Sequence, residues 1–402
     1  MQLEFRQKLS TETQLVEAIH DWAHTLQCRG QTDVAFLDYQ KAFDHVPHRH
    51  LQTKLEYYGI TGDSLRWTMA LLTNRQQAVI VNGSKSSWMP VTSGVPQGSV
   101  IGPSLFLLYI NDIACDIKST MRLFADDSVV YRDIHSEDDY ISLQRDLEAL
   151  STWSKVWLMS FNVKKCVVLS ITRKRNPNLY NYTLCSEPIP RVDSYKYLGV
   201  TVTKDLRWNK HCHLKTNNAS KTLGLLRRTL APCPKKVKEI AYKALVRPKL
   251  EYSSEAWNPY TSQCVDNLER IQKAAARFVF RDYRTTTSSS GLVNQLEWDL
   301  LHTRRLLAQS TMFYKIHQQL VNITFPTFIM PSPYISRNDH SLKLTVPVAT
   351  IDPYKFSFYP RAIRIWNSLP PQAVTAPTLA AFQEAALPAI RRMKPPIGDR
   401  MM

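Results

Sequence analysis

The sequence predicts an α+β fold in which an antiparallel sheet with flanking helices is followed by a helical region. Three observations support this prediction. Strand-like apolar runs and helical patterns mix through about residue 203 without the strict β-α-β alternation of a parallel sheet. The pattern from about 204 to 320 is helical. Finally, the chain of 402 residues is 44% hydrophobic, which is enough to bury the cores of two or three domains.

The first predicted elements alternate between helix and strand. TETQLVEAIHDWAHTLQ, residues 11–27, places apolar residues at helical spacing and predicts an amphipathic helix. The short run DVAFLD suits a buried strand that delivers Asp38 at its edge. Helical patterns follow at about 48–58 and 62–73. Asn82-Gly83 then supplies the turn residues of a hairpin, because both tolerate positive φ.

The next predicted elements surround a loop and an acidic turn. SGVPQGS is rich in Gly and Pro and predicts a loop, and the apolar run from Leu105 to Ile113 predicts a buried helix. RLFADDSVVYR predicts a strand, a turn carrying Asp126 and Asp127, and a second strand. One helix and two strands are predicted after it, at about 137–158, 166–171 and 195–202.

The patterns divide the chain into three predicted segments. Residues 1–203 form the mixed domain, and residues 204–320 form a basic helical domain. Residues 321–402 are rich in proline, and we expect them to form a loosely structured extension.

The charge of the chain indicates a polyanionic partner. Lys and Arg exceed Asp and Glu by 17, which favours nucleic acid over a membrane surface. The surplus is concentrated from Lys204 to Lys249, where thirteen basic residues face only Asp205 and Glu239. This segment is the candidate for contacts with a nucleic-acid backbone. A basic face that is merely solvated is the alternative.

The cysteines and the hydropathy of the chain indicate in which cellular compartment the protein is expected. The seven cysteines are scattered and include no Cys-x-x-Cys pair, so we expect a reducing, intracellular setting, nuclear or cytoplasmic. The start of the sequence has no apolar signal-peptide region, and the most apolar stretch is too short and too interrupted to span a bilayer. We therefore expect neither secretion nor a membrane span.

Three acids are the candidate reactive groups. Asp38 ends one predicted strand, and Asp126 and Asp127 lie at a hairpin turn about ninety residues later. Adjacent Asp residues are either a plain polar turn or half of a divalent-metal site. If the strands are neighbours, three carboxylates converge and repel one another unless divalent cations neutralise them. Such a set of hard oxygen ligands suits Mg²⁺, and two ions could support a phosphoryl transfer.

Five motifs in order resemble the reverse transcriptases of non-LTR (LINE-type) retrotransposons. They are AFLDYQKAFDHVPH, SGVPQGSVIGPSLFLLYINDI, LFADD, WSKVWLMSFNVKKC and YKYLGV. The resemblance implies a palm domain followed by a thumb-like helical region. It also implies an RNA-directed DNA polymerase that uses an RNA template, a DNA primer, dNTPs and two Mg²⁺ ions, with Mn²⁺ as a substitute.

The resemblance also implies roles for particular residues. Asp38 and Asp126 would bind both metal ions, Asp127 would support the site, and Lys165 would donate a proton to the leaving pyrophosphate. Phe43 would exclude a ribose 2′-OH. The other implied contacts are the backbone of Tyr39, Gln40, Lys41, Ala42 and Phe43 with the triphosphate, Gln97 and Gly98 with the template base and nucleotide, and Leu198 and Gly199 with the primer end.

The start of the chain departs from the family pattern. We find neither the upstream finger motifs nor an endonuclease domain of the family pattern among these residues, and Glu4 stands where glycine is expected before Phe5. This pattern is typical of the C-terminal part of a longer element. Two other functions therefore stay open: a catalytically impaired nucleic-acid-binding remnant, and a palm-fold RNA polymerase, against which Phe43 argues. The sequence leaves the oligomeric state open.

Overall fold

A computed structural model describes residues 8–337 and 339–393 of the chain. The predicted motif around Glu4 lies outside the described residues. The described residues form two compact units. The first unit contains residues 8–10 and Arg29–Asp193, and the second contains Thr11–Cys28 and the described residues from Ser194 onward.

The compact units divide the chain differently from the three predicted segments. The boundary near 193 lies close to the predicted one at 203, but the helix over 11–27 belongs with the second unit. The described part of the Pro-rich segment belongs to that unit as well.

The strands and helices have the following bounds. The strands are β1 (Gln31–Leu37), β2 (Arg75–Gln77), β3 (Ile80–Val81), β4 (Ser84–Lys85), β5 (Met89–Val91), β6 (Thr120–Phe124), β7 (Asp127–Asp133), β8 (Val167–Thr172), β9 (Thr183–Leu184), β10 (Glu187–Pro188), β11 (Ser194–Tyr197) and β12 (Val200–Thr203). The helices are α1 (Thr11–Gln27), α2 (His48–Tyr57), α3 (Gly62–Leu72), α4 (Gly102–Ile110), α5 (Glu137–Val156), α6 (Asn209–Thr229), α7 (Lys235–Ala241), α8 (Arg247–Glu251), α9 (Ser254–Trp257), α10 (Ser262–Phe280), α11 (Ser289–Gln295), α12 (Leu301–His317), α13 (Asp352–Lys355), α14 (Phe358–Asn367), α15 (Pro371–Val374) and α16 (Leu379–Arg391).

An antiparallel sheet in the order β6-β7-β1-β8 organises the first unit. Every residue of β1 is buried, as expected for a strand with partners on both edges and helices nearby. Apolar side chains of α2, α4 and α5 join those of the sheet in one core, including Leu51, Phe106, Leu147 and Val130. The predicted α+β fold, an antiparallel sheet with flanking helices, is therefore confirmed.

Two turns are defined more sharply than the sequence patterns predicted. The acidic hairpin pairs Phe124 with Asp127, so its turn contains Ala125 and Asp126, and Asp127 already opens β7. Ala125 has φ of +50°, a conformation that costs energy for a residue with a Cβ. The apolar run over 195–202 forms two strands rather than one, because the chain reverses between Tyr197 and Val200.

A buried lysine stabilises the core of the first unit beside α2. Lys54 is 3% exposed, and its Nζ lies 3.8 Å from the centre of the Trp157 ring and 4.8 Å from that of Trp153. The same ammonium donates to Asp112 Oδ1 at 2.5 Å and to the carbonyl of Tyr109. Burial lowers the pKa of Lys54, and the Asp112 carboxylate opposes that shift. These partners satisfy a charge that would otherwise be costly to bury.

The second unit is mainly helical, with the β11-β12 hairpin as its described sheet. Its core includes Trp22 of α1 and Trp257 of α9, both fully buried. Trp366 and Phe382, in the Pro-rich segment, are fully buried as well. The expectation of a loosely structured extension was therefore wrong for these residues, because helices α14 and α16 contribute aromatic side chains to the core.

No helix within the described residues combines the length and the apolar character needed to cross a membrane.

Candidate active site

The sheet brings the three predicted acids to one end of two neighbouring strands. Asp38 directly follows β1, whose last pair with β7 joins Leu37 to Ser128. One residue further along this antiparallel register, Asp38 comes opposite Asp127. Asp126 lies in the turn that precedes β7. The acids are thus adjacent despite their separation in sequence.

The electrostatics of Asp127 reflect this arrangement. Asp127 as a whole residue is exposed, yet its pKa is raised to about 6. Partial desolvation of the carboxyl is the largest cause, followed by the negative charges of Asp126 and Asp38. Carboxylates that raise one another's pKa in this way are typical of sites that gain stability when a cation binds.

The segment that carries Lys165 is hydrogen-bonded to the segment that carries Asp38. The N–H of Gln40 donates to the carbonyl of Ser160 at 2.9 Å, and the N–H of Asn162 donates to the carbonyl of Asp38 at 2.7 Å. Cys166 Sγ accepts the N–H of Asp38 at 3.4 Å. Lys165 Nζ then lies 3.0 Å from Asp38 Oδ2. The structure therefore pairs two of the predicted catalytic residues directly.

Carboxylate oxygens are suitable ligands for a divalent cation, but these three side chains do not form a ligand cluster in this structure. In the part of the chain that the structure describes, no three His, Cys, Asp or Glu side chains stand in a metal-ligating arrangement. Asp38 Oδ2 is itself buried and accepts no well-formed hydrogen bond from the described residues, so the 3.0 Å contact with Lys165 is an ion pair only. A buried carboxylate oxygen with spare acceptor capacity, beside two more carboxylates, suits Mg²⁺ or Mn²⁺.

The predicted triphosphate segment, 39–43, alternates between buried and exposed side chains. Tyr39 and Ala42 are buried, whereas Gln40 and Lys41 are exposed. Tyr39 stacks on Phe161 with ring centres 4.7 Å apart. The backbone N–H of Gln40 donates to the carbonyl of Ser160. It is therefore not free to bind a triphosphate, unlike the role predicted for the N–H groups of this segment.

Phe43 is held by aromatic stacking beside this segment. It is half-buried, and its ring lies 4.4 Å from that of Phe106 at an interplanar angle of 17°. Stacking on one face fixes the ring while part of it stays accessible. This arrangement is compatible with the steric role that the resemblance implies for Phe43.

The loop of Gln97 and Gly98 contacts a residue that the sequence reasoning missed. Gln97 Nε2 donates to Asp44 Oδ1 at 2.9 Å, and Gly98 has φ of +80°. Gly94 passes so close that a Cβ there would lie 2.7 Å from the carbonyl oxygen of Asp44. Asp44 therefore orients Gln97, and only glycine fits at position 94. The sequence feature that could have indicated Asp44 was an acidic residue shortly after β1, in AFDH.

The predicted primer-end residues form the turn of the β11-β12 hairpin in the second unit. Leu198 and Gly199 have φ of +44° and +81°, as required for a tight two-residue hairpin. Tyr252 holds this turn, since its hydroxyl donates to the carbonyl of Leu198 at 3.2 Å. A Cβ at position 199 would lie 2.9 Å from Tyr252 Cε1, so a larger residue would displace the ring.

A basic cleft lies beside Tyr252 within the second unit. Its volume is about 600 Å³, and Lys215, Lys221 and Lys249 line it together with Tyr252. None of the described residues that line it is acidic. Lys215 Nζ lies 5.1 Å from the centre of the Tyr252 ring, and desolvation, then the charge of Lys196, lowers the pKa of Lys215. Three lysines around one cleft, with no acidic lining residue among those described, favour an anion there.

The chain is similar to a known protein family and to several known proteins. A family model described as reverse transcriptase (RNA-dependent DNA polymerase) matches residues 1–202. A probable RNA-directed DNA polymerase from transposon X-element of Drosophila melanogaster is 28% identical over 297 residues, covering 69% of this chain and 31% of that protein. The RNA-directed DNA polymerase from mobile element jockey of the same organism is 26% identical over 288 residues, with the same two coverages.

A third relative comes from another insect. The Pol polyprotein from type-1 retrotransposable element R2 of Popillia japonica is 23% identical over 280 residues, covering 63% of this chain and 43% of that protein. The chain spans about a third of the length of the first two relatives. These matches confirm the family resemblance that the five motifs indicated.

Proposed function

The chain belongs to the reverse transcriptase (RNA-dependent DNA polymerase) family, and from this we propose that it forms the polymerase region of a non-LTR retrotransposon. In the proposed reaction, the 3′-OH of a DNA primer attacks the α-phosphate of a dNTP paired with an RNA template, and pyrophosphate leaves. The observation that carries the proposal is the register of β1 and β7, which sets Asp38 opposite Asp127 and beside Asp126.

The three acids are the proposed metal ligands. Asp38 and Asp126 would hold both ions and Asp127 would support the site. Mg²⁺ ions bound there, or Mn²⁺ in their place, would activate the primer hydroxyl and neutralise charge on the leaving oxygens. The raised pKa of Asp127 supports this assignment, because the carboxylates repel one another without such a charge.

The residues around the acids have proposed roles in binding the nucleotide. Phe43, fixed by Phe106, would exclude a 2′-OH and select deoxynucleotides. Gln97, oriented by Asp44, would lie beside the template base with Gly98. The backbone over 39–43, apart from the N–H of Gln40, would face the triphosphate. Lys165 would supply the proton that leaves with pyrophosphate.

The second unit has proposed contacts with nucleic acid. Leu198 and Gly199 would contact the primer end, supported by the Tyr252 hydroxyl. The cleft lysines would contact phosphates of the primer-template backbone, since the cleft is basic and has no acidic lining residue among those described. These partners imply an intracellular site of action, in the nucleus or the cytoplasm.

Primer extension on an RNA template tests the proposal. We expect Asp126→Asn to lower the extension rate by about 10²–10³-fold, as for the loss of one group that stabilises developing charge. Asp116→Asn makes the same charge change at an exposed position outside the site and serves as the matched control, with an unchanged rate.

Two results would contradict the proposal. Undiminished extension by Asp126→Asn would show that the catalytic assignment is wrong. If the unmodified chain bound primer-template in a salt-dependent manner but incorporated nothing with Mg²⁺ or Mn²⁺, it would be a nucleic-acid-binding remnant rather than a polymerase. Efficient incorporation of rNTPs would instead indicate an RNA polymerase.

A further inference from the structure

Lys165 occupies the carboxylate of Asp38, which is also a proposed ligand of the metal ions. Lys165 Nζ lies 3.0 Å from Asp38 Oδ2, and that oxygen is buried. The ammonium and a divalent cation repel each other, so both are not expected on this one oxygen at once. A divalent ion that ligates Oδ2 must therefore displace the ammonium or bind while Lys165 is turned away.

The surroundings of Lys165 let the side chain move while its backbone stays in place. The Lys165 N–H donates to the carbonyl of Asn162 at 2.9 Å, and the N–H of Asn162 donates to that of Asp38 at 2.7 Å. The Lys165 side chain is nevertheless 69% exposed, against 28% for Asp38. An ammonium displaced from Oδ2 can therefore turn into solvent and stays tethered within one side-chain length of the acids.

The ion pair also has an electrostatic function. The register of β1 and β7 sets Asp38 opposite Asp127, with Asp126 in the adjoining turn, so the three carboxylates repel one another. A cation at Oδ2 relieves that repulsion, and the ammonium of Lys165 provides one without any metal.

We propose that Lys165 is an internal counter-ion that holds Asp38 in the metal-free protein and is displaced when a divalent cation binds. This inference rests on the proposed function, since it takes Asp38 as a metal ligand. The proposal implies an order of events. The cation first replaces Lys165 at Asp38, and only then is the Lys165 ammonium free to face the leaving pyrophosphate. One residue thus links metal binding to the availability of the proton donor.

Binding of Mn²⁺ alone to the full chain, followed by the electron paramagnetic resonance signal of the free ion, tests the inference without any turnover. We expect Lys165→Met to bind Mn²⁺ about two- to fivefold more tightly than the unmodified chain, because the competing cation is gone and an exposed ion pair contributes modestly. Lys165→Arg should retain the original affinity, since it restores the counter-ion.

Lys164→Met is the matched control. It removes the same charge from an exposed neighbour of Lys165, and the change in affinity should be clearly smaller, because exposed charges further from the ion are screened. Equal affinities of the Lys165→Met and Lys164→Met variants would overturn the counter-ion role.

A third variant separates this inference from the proposed function. Asp38→Asn should weaken Mn²⁺ binding if Asp38 is a ligand. If it does so while Lys165→Met and Lys164→Met behave alike, the counter-ion role falls and the proposed function stands. If Asp38→Asn leaves Mn²⁺ binding unchanged, both fall.

Discussion

Each unit places a lysine against aromatic rings, and Lys54 and Lys215 are left in opposite situations. In the first unit, Lys54 is buried among Trp153 and Trp157 and is paired with Asp112. In the second unit, Lys215 lies beside the ring of Tyr252 at a cleft in which no described lining residue is acidic. Lys54 is thus neutralised within its unit, whereas Lys215 is open to an external anion.

This difference shows how to distinguish a lysine that stabilises the fold from a lysine that is available to bind a ligand. Lys54 and Lys165 each face a carboxylate of their own unit, at 2.5 Å and 3.0 Å respectively. In the cleft, Lys215 Nζ lies against the Tyr252 ring and Lys249 Nζ donates to Thr222 Oγ1 at 2.7 Å instead. Net charge alone, at +17 for the whole chain, does not distinguish these cases, whereas the nearest partner of each ammonium does.

The largest expected effect is the loss of the buried lysine. Lys54→Ala should lower the free energy of unfolding of the first unit by about 3 kcal/mol, because it leaves Asp112 without its cation and opens a void between two indole rings. Urea titration followed by tryptophan fluorescence would measure it. Lys174→Ala, at an exposed position of the same unit, should change this free energy by less than about 0.5 kcal/mol. Equal effects of the two variants would refute the structural role of Lys54.

The next effect concerns the open lysines, and it should appear in binding rather than in stability. Replacing Lys215, Lys221 and Lys249 together by Gln should reduce the slope of log affinity against log salt for an RNA–DNA duplex by about 3, at roughly one per lysine. At low salt this corresponds to a loss of up to about 100-fold in affinity. Fluorescence anisotropy over a salt series would measure both quantities.

A matched triple variant sharpens that result. Lys164, Lys174 and Lys85 carry the same charge in the first unit, and Gln at all three positions makes the same change in net charge. We expect a smaller change in slope from this control. If both triple variants lowered the slope equally, the cleft would be no more than part of a generally basic surface.

Local patterns were sufficient to predict most of the elements that carry the acids. DVAFLD predicted β1 with Asp38 at its end, and LFADDSVVY predicted the β6-β7 hairpin, because strand periodicity and turn residues are properties of short stretches. The adjacency of Asp38 to the acidic pair did not follow from either pattern alone. It depended on the pairing of β1 with β7, which the ordered family motifs implied.

The partners of buried polar groups could not be predicted, because they are distant in sequence. Asp33 within β1 looked like part of an apolar run, yet it is fully buried and accepts hydrogen bonds from Ser170 and Tyr182, more than 130 residues away. Lys54 likewise depends on Asp112. Helix α1 was predicted correctly as an element, but no local pattern indicates that it packs in the second unit.

The smallest expected effect, taken per pH unit, concerns a base that the second unit buries in its neutral form, in contrast to the charged Lys54. His20 is 8% exposed, and its ring lies 4.7 Å from that of Tyr359 and 5.2 Å from that of Phe328. Desolvation lowers the pKa of His20 to about 4, against a raising effect of Asp21 and a lowering effect of His24. Between about pH 6.5 and pH 4 the unfolded chain therefore binds a proton that the folded chain does not, so stability falls as the pH falls, by up to about 1.4 kcal/mol per pH unit for this residue.

Unfolding free energies measured at several pH values should show a shallower dependence for His20→Gln, while His45→Gln, at an exposed site of the first unit, should keep the original slope. An unchanged slope in His20→Gln would mean that His20 takes up its proton in the folded state as readily as in the unfolded chain.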